Sequence, residues 1–171
     1  MSEKTVLCVD DDLTILRSLR DMLSRVLGSA ARVEIASNGF EAIEFLKELQ
    51  QEGQTLSLII ADFIMPRMRG DELLVTAHNM SPDTVTIMLT GQSDLEGVKN
   101  AINNANLYRF LEKPFNNADM VLTVRAALDL HAQRQELSLL REQHERLKLL
   151  AGPDLVRQAM GGAVSGGGSQ P

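Results

Sequence analysis

Short, unbroken apolar runs alternate along this chain with longer stretches in which apolar residues recur every third or fourth position. The first pattern predicts strands buried on both faces, the second amphipathic helices. The organising run is residues 56–62, Leu56-Ser57-Leu58-Ile59-Ile60-Ala61-Asp62, with Gly53 before it and a loop carrying Pro66 and Gly70 after it. It is too short for a typical helix, and it ends in one carboxylate. The next helix starts near Gly70, too far on for Asp62 to cap, so this acid reads as a chemical group presented at a sheet edge.

The other elements follow in order. Residues 5–9 form an apolar strand that also ends in acid, at Asp10, Asp11 and Asp12. Leu16, Leu19, Met22, Leu23 and Val26 then mark a helix stopped by Gly28. A short strand at 33–36 leads to a helix capped by Asn38 and closed by Gly53, with Ala42, Ile43, Phe45, Leu46 and Leu49 as its buried stripe. After Asp62 come a helix over 71–80, a turn at Ser81-Pro82-Asp83, a strand over 84–89 ending at Thr90-Gly91, and a weaker helix over 94–104. That helix contains Gly97 and few large apolar residues, so it is predicted to be the least firmly anchored. A fifth strand at 108–111 ends in Glu112-Lys113-Pro114, and a last helix runs from near Asn117 to a breaker at Gly152-Pro153.

Strands alternating with helices predict an α/β fold: a parallel sheet with right-handed crossovers and helices on both faces. In such a sheet the ligand site lies beyond the carboxyl ends of the strands, where the strand order reverses. With five strands in the order 2-1-3-4-5, Asp10, Asp11 and Asp62 converge there, with Thr90 beside them and Lys113 one strand further.

The totals fit this picture. The chain has 171 residues, 44% hydrophobic and 23% charged, with a formal net charge of -6. A domain of this size buries roughly two-thirds of its unfolded surface and needs neither disulfides nor a structural metal. The acidic balance argues against direct binding of nucleic acid. Neither a membrane span nor a signal-peptide core is visible, so a cytoplasmic location is expected. Cys8 sits inside the first apolar run and reads as a packed thiol.

Three carboxylates a few ångströms apart repel one another, by about 4 kcal/mol for a pair at 4 Å with an effective dielectric of 20. They must share protons, spread apart or hold a cation. A small, open, all-oxygen site suits Mg²⁺ or Mn²⁺, which keeps waters and bridges to phosphate. Carboxylates are also nucleophiles toward phosphorus. The three phosphoryl oxygens then need partners: the metal, a hydroxyl such as that of Thr90, and an ammonium such as that of Lys113. Lys113 must reach across two strand spacings, roughly 10 Å, which only a long flexible cation can do.

The segments Val9-Asp10-Asp11, Asp62-Phe63-Ile64-Met65-Pro66-Arg67-Met68-Arg69-Gly70, Leu89-Thr90-Gly91 and Lys113-Pro114-Phe115 together resemble the signature of the response regulator receiver domain of two-component signalling. The resemblance covers about residues 4–130. It implies a flavodoxin-like receiver fold with Asp62 as phosphoacceptor and Asp10 and Asp11 as the acidic pair, Asp11 binding the metal directly. It further implies the Ile64 backbone carbonyl as a Mg²⁺ ligand, Thr90 as the switch hydroxyl, Phe110 as the aromatic switch, Lys113 as the phosphate-pairing lysine, and a cis peptide before Pro114. A histidine kinase or phosphotransfer protein is the implied partner. In such a module the face of the fourth helix, fifth strand and fifth helix changes to control a partner or a fused output; the chain would act on its own phosphorylation but would not be an enzyme in the ordinary sense. Arg69 departs from the acid or amide frequent at its position, and Ile64 and Gln92 occupy positions that tune dephosphorylation.

Duller explanations compete. Asp12 is better explained as a helix-start acid than as a ligand, and a strand aromatic such as Phe110 is more often core. His78, His131 and His144 carry no phosphotransfer motif and read as solvated or interface residues. Asp10-Asp11-Asp12-Leu13-Thr14 also fits the opening of haloacid-dehalogenase-like phosphatases, with Asp10 as nucleophile. That reading needs a further acidic motif after the lysine and leaves Asp62 unexplained. A third possibility is a phosphorylation-independent scaffold built on the same fold.

The predicted organisation is a receiver domain over 1–130, a helical extension over 131–152 and a flexible Gly/Ser-rich tail over 153–171. In the extension Leu130, Leu137, His144 and Ala151 fall at a positions of a heptad, with Gln133, Leu140 and Leu147 at d. Asp129 with Arg134 and Glu136 with Arg141 pair at the five-residue offset that faces across two parallel chains, so a parallel homodimer is expected. The wording around Thr90 and residues 108–114 resembles receivers joined to cyclic-dinucleotide phosphodiesterases or to kinases.

Overall fold

The computed structural model describes residues 3–91 and 95–161. Ten principal elements alternate as predicted: β1 (Thr5–Val9), α1 (Leu13–Leu27), β2 (Arg32–Ala36), α2 (Gly39–Gln51), β3 (Leu58–Asp62), α3 (Gly70–Met80), β4 (Val85–Thr90), α4 (Leu95–Asn104), β5 (Arg109–Glu112) and α5 (Asn117–Gly161), with a short 3-10 turn at Gly28–Ala30. The five strands form one parallel sheet in the order β2-β1-β3-β4-β5. This is the flavodoxin-like receiver fold expected from the sequence.

The apolar runs are continuous because the sheet is covered on both sides, and their alternate residues serve different layers. Leu7, Val9, Ile59, Ala61 and Met88 face one core, closed by Ala42, Leu46 and Leu49 of α2, Leu73, Leu74 and Ala77 of α3, and Val98 and Ala101 of α4. Val6, Cys8, Leu58, Ile60, Ile87 and Leu89 face the other, closed by Leu16, Leu19 and Leu23 of α1 and Met120, Val124 and Leu128 of α5. Burial pushes the Cys8 thiol up to about 12, so it is a packed neutral group.

The helix ends obey local chemistry. Asp12 caps α1, its carboxylate accepting the Thr14 and Ile15 amides at 2.8 and 3.3 Å. Asn38 caps α2 through the Glu41 amide at 2.9 Å, and Glu41 returns a bond to the Ser37 amide at 2.7 Å. β3 begins two residues later than the apolar run. Leu56 and Ser57 are nevertheless buried, and the Ser57 hydroxyl accepts the Thr5 amide at 3.2 Å.

α4, expected to be the least firmly anchored helix, buries only Gly97, Val98 and Ala101; a Cβ on Gly97 would stand 2.0 Å from the Phe63 ring, so glycine is what lets this helix lie directly on that side chain. Two expectations need correction. His131 is buried in α5 rather than solvated, because it falls on the same face as Leu128. The helix breaks at Gly152, whose φ of 67° is non-helical, yet residues 153–161 are helical rather than tail. Proline tolerates the first turn of a helix, so Pro153 restarts one after the glycine. Residues 162–171 lie outside the described part, as does Gln92.

The chain divides into two compact units, Met1–Gln133 and Arg134–Pro171. Within the second, Leu137, Leu140 and Leu147 are exposed, as are Leu139, Leu149 and Leu150. No helix among the described residues is long and apolar enough to cross a membrane.

Candidate functional site

The strand register builds the site. Val9 pairs with Ala61, so the next residues, Asp10 and Asp62, leave the sheet side by side. Asp62 pairs with Leu89, which puts Thr90 one step beyond it, and Thr90 pairs with Glu112, which puts Lys113 one step further. Four chemistry-bearing residues thus sit at the carboxyl ends of neighbouring strands, at the reversal between β1 and β3.

Carboxylate oxygens of Asp10, Asp11 and Asp62 lie within 4.8 Å of one another. Asp10 is 1% and Asp62 7% exposed, whereas Asp11 faces solvent. Lys113 spans the strand gap as its length allows: Nζ stands 2.8 Å from Asp10 Oδ2 and 3.0 Å from Asp62 Oδ1. Asp10 Oδ1 also accepts the Asp12 amide at 2.9 Å. The Lys113–Pro114 peptide is cis, and the Lys113 amide donates to the Thr90 carbonyl at 2.9 Å, tying the ends of β4 and β5 together.

Electrostatics follow from this crowding. Burial raises the Asp62 pKa above the ordinary carboxylate value; the Lys113 hydrogen bond opposes that rise, and the charges of Asp10 and Asp11 add to it. For Lys113 burial acts downward, but hydrogen bonds to Asp10 and Asp62 outweigh it and the ammonium is held above its usual range. The lysine therefore stays charged as the counter-ion of a carboxylate whose own ionisation is disfavoured. An oxygen-only donor set of two buried acids and one open to water, with a single cation alongside, fits a small hard divalent ion such as Mg²⁺.

The β3–α3 loop closes the site from one side. Gly70 is required there: a Cβ would meet the Asp62 carbonyl oxygen at 2.1 Å, and the Gly70 amide donates to the Phe63 carbonyl at 2.9 Å. Ile64 lies exposed on this loop. Arg67 takes a φ of 68°, the Met68 amide bonds the Pro66 carbonyl at 2.8 Å to make a three-residue turn around it, and its guanidinium lies 5.5 Å from the Phe40 ring centroid. Thr90 is buried at the end of β4. Phe110 pairs with Met88 in β5 and is 43% exposed, so it is not the core aromatic that frequency favours.

Sequence reading missed a second polar cluster. Asp71 in the first turn of α3 is 0% exposed and accepts Arg69 Nε and Nη2 at 3.0 and 2.7 Å and Asn100 Nδ2 of α4 at 2.7 Å. Nothing local signals it, because Asn100 lies 29 residues away.

A family profile for the response regulator receiver domain matches residues 6–125. The hydrogenase transcriptional regulatory protein HoxA of Bradyrhizobium diazoefficiens is 30% identical over 132 residues, covering 77% of this chain and 25% of that protein. This chain thus spans a quarter of that relative's length. Among solved structures, a CheY-like response regulator receiver domain protein from Methanospirillum hungatei JF-1 shares 32% identity with a TM-score of 0.68, over 78% of this chain and 99% of its own. The signal receiver domain of an HD domain-containing protein from Pseudomonas fluorescens Pf-5 shares 29% with a TM-score of 0.70, over 80% and 94%. With the sheet order, the acid triad and a profile match across most of its length, this chain belongs to the response regulator receiver domain family.

Proposed function

We propose that this receiver takes a phosphoryl group onto Asp62 from a histidine kinase or phosphotransfer protein and passes the change to a partner or fused output. The observation that carries the reading is the shared lysine: Nζ of Lys113 lies within 3.0 Å of Asp62 and 2.8 Å of Asp10, at the end of the central strand. An Asp62 oxygen forms the new bond to phosphorus as the bond from phosphorus to the donor imidazole breaks. The electron pair returns to the ring, which leaves neutral when its other nitrogen carries a proton.

Asp10, Asp11, Asp62 and the Ile64 carbonyl are the residues assigned to hold Mg²⁺ (or Mn²⁺), which when bound offsets the charge between carboxylate and phosphoryl group. Lys113 pairs with a second phosphoryl oxygen. The Thr90 hydroxyl moves to the third, and the exposed Phe110 and the α4–β5–α5 face respond to that movement. The module acts on its own phosphorylation rather than on a turned-over substrate. Its cytoplasmic location is part of the same reading, as is the division into a receiver at 1–130 followed by a helical extension.

The exposed leucines of the second unit support a further element, a parallel homodimer through Leu137, Leu140 and Leu147; Leu130, expected on the same seam, packs instead against the receiver's own core. Because the same helix begins in the receiver, phosphorylation would act on the pairing. Incubation with acetyl phosphate and Mg²⁺, read by intact mass, tests the chemistry. A gain of one phosphoryl group, lost in Asp62→Asn, is expected. No gain would favour a phosphorylation-independent scaffold.

A further inference from the structure

α4 is fastened to the phosphoacceptor segment at two neighbouring points. Gly97 lies against the ring of Phe63, the residue after Asp62, with no room for a Cβ. One turn on, Asn100 Nδ2 donates to Asp71 Oδ2 at 2.7 Å, and Asn104 Nδ2 donates to Asn100 Oδ1 at 2.7 Å, orienting that amide. Asp71 also holds the Arg69 guanidinium, which lies 5.4 Å from the centroid of the same Phe63 ring. One buried carboxylate thus joins the loop after Asp62 to the helix after Thr90.

The two fastenings differ in kind. An apolar contact between a ring and a helix backbone can slide, whereas a short charge-assisted hydrogen bond loses most of its strength on a shift of an ångström or a turn of the donor. Asp71 belongs to α3 and Asn100 to α4, so a shift of α4 relative to α3 on phosphorylation opens this bond. Release leaves no orphaned charge, because Asp71 keeps both bonds to Arg69. A latch whose buried acid stays paired when open is reversible at modest cost.

We infer that Asn100, held by Asp71, is a positioning residue that restrains α4 in the unphosphorylated arrangement and so weakens phosphoryl-group binding at Asp62. The inference rests on the phosphoacceptor reading above and names the group that opposes the switch. Any contact present in one state only shifts the balance by its own free energy.

The test titrates the full chain with Mg²⁺ alone and then with beryllofluoride at saturating Mg²⁺, followed calorimetrically. Wild type, Asn100→Ala, Asp71→Asn, Lys99→Ala and Asp62→Asn are compared. Asn100→Ala is expected to bind beryllofluoride about tenfold more tightly, the effect of one charge-assisted hydrogen bond, with Mg²⁺ affinity unchanged. Asp71→Asn moves the same way, and Lys99→Ala, on the exposed side of α4, matches wild type. Equal or weaker beryllofluoride binding by both latch variants overturns the inference, whatever their thermal stability. If wild type itself shows no binding that depends on Asp62, the phosphoacceptor reading fails instead.

Discussion

Replacing Lys113 by methionine keeps the stem and removes the charge that two buried acids share. Breaking a fully buried pair costs about 3–5 kcal/mol, because the abandoned charge has no solvent to turn to. Asp10 meets that condition at 1% exposed, but the Lys113 side chain is 26% exposed, so water reaches the gap and the loss is expected at about 2 kcal/mol near neutral pH. For a domain of this size that lowers the unfolding midpoint by roughly 6–8 °C. The pH dependence gives the sharper signature. Asp62 is already raised by burial and loses the one hydrogen bond that opposed the rise, so in the variant the folded state holds its proton more tightly than the unfolded state does. Stability falls with pH wherever the folded state binds more protons, so the deficit is small at about pH 4 and opens as pH climbs through the raised Asp62 value. Mg²⁺, bringing positive charge to the same acids, restores more stability to the variant than it adds to wild type. Thermal unfolding from pH 4 to 8, with and without Mg²⁺, measures all three. A Lys113→Met protein as stable as wild type at pH 7, or a deficit flat in pH, would refute the assignment of this lysine as the counter-ion of the site.

Four further outcomes follow. Arg67→Gly removes a side chain from a left-handed position and is expected to stabilise the fold by about 1 kcal/mol in urea unfolding, less what the contact with Phe40 contributed; a loss beyond 1 kcal/mol would contradict the strain. Asp12→Ala forfeits the two amide bonds that start α1 and should cost about 1 kcal/mol in the same assay, with phosphorylation retained. Gly70→Ala drives a methyl into the Asp62 carbonyl and should abolish acetyl phosphate labelling even where circular dichroism shows the fold intact. In sedimentation, the full chain should run as a dimer and a chain ending near Leu130 as a monomer; identical monomeric masses would end the pairing proposed for Leu137, Leu140 and Leu147.

What the amino-acid order reveals, and what it hides, has a physical basis. Asp10, Asp62, Thr90 and Lys113 were legible because each ends a strand, and a parallel sheet brings such ends together whatever the loops do. The two cores were legible too, since an unbroken apolar run is stable only when covered on both faces. The Asp71–Asn100 bond was not, because a side-chain pair between α3 and α4 leaves no periodic trace. Gly97 reads as a weak point in a helix, and only the position of the Phe63 ring turns it into a seat. Arg67 at positive φ was invisible for the opposite reason, since an arginine does not announce a left-handed turn as glycine does. The helix after Gly152 was missed because a Gly-Pro pair reads as a stop, although proline also opens helices.

The most direct measurement of the central claim is where the phosphoryl group goes. After labelling with acetyl phosphate and Mg²⁺, the acyl phosphate is reduced with borohydride and the converted residue located by peptide mass. Conversion at Asp62 alone is expected, because Asp62 ends the central strand within 3.0 Å of Lys113 while Asp10 and Asp11 are the acids assigned to the metal only. Conversion at Asp10 would place the nucleophile on the first strand, as in the rival phosphatase chemistry, and contradict the account.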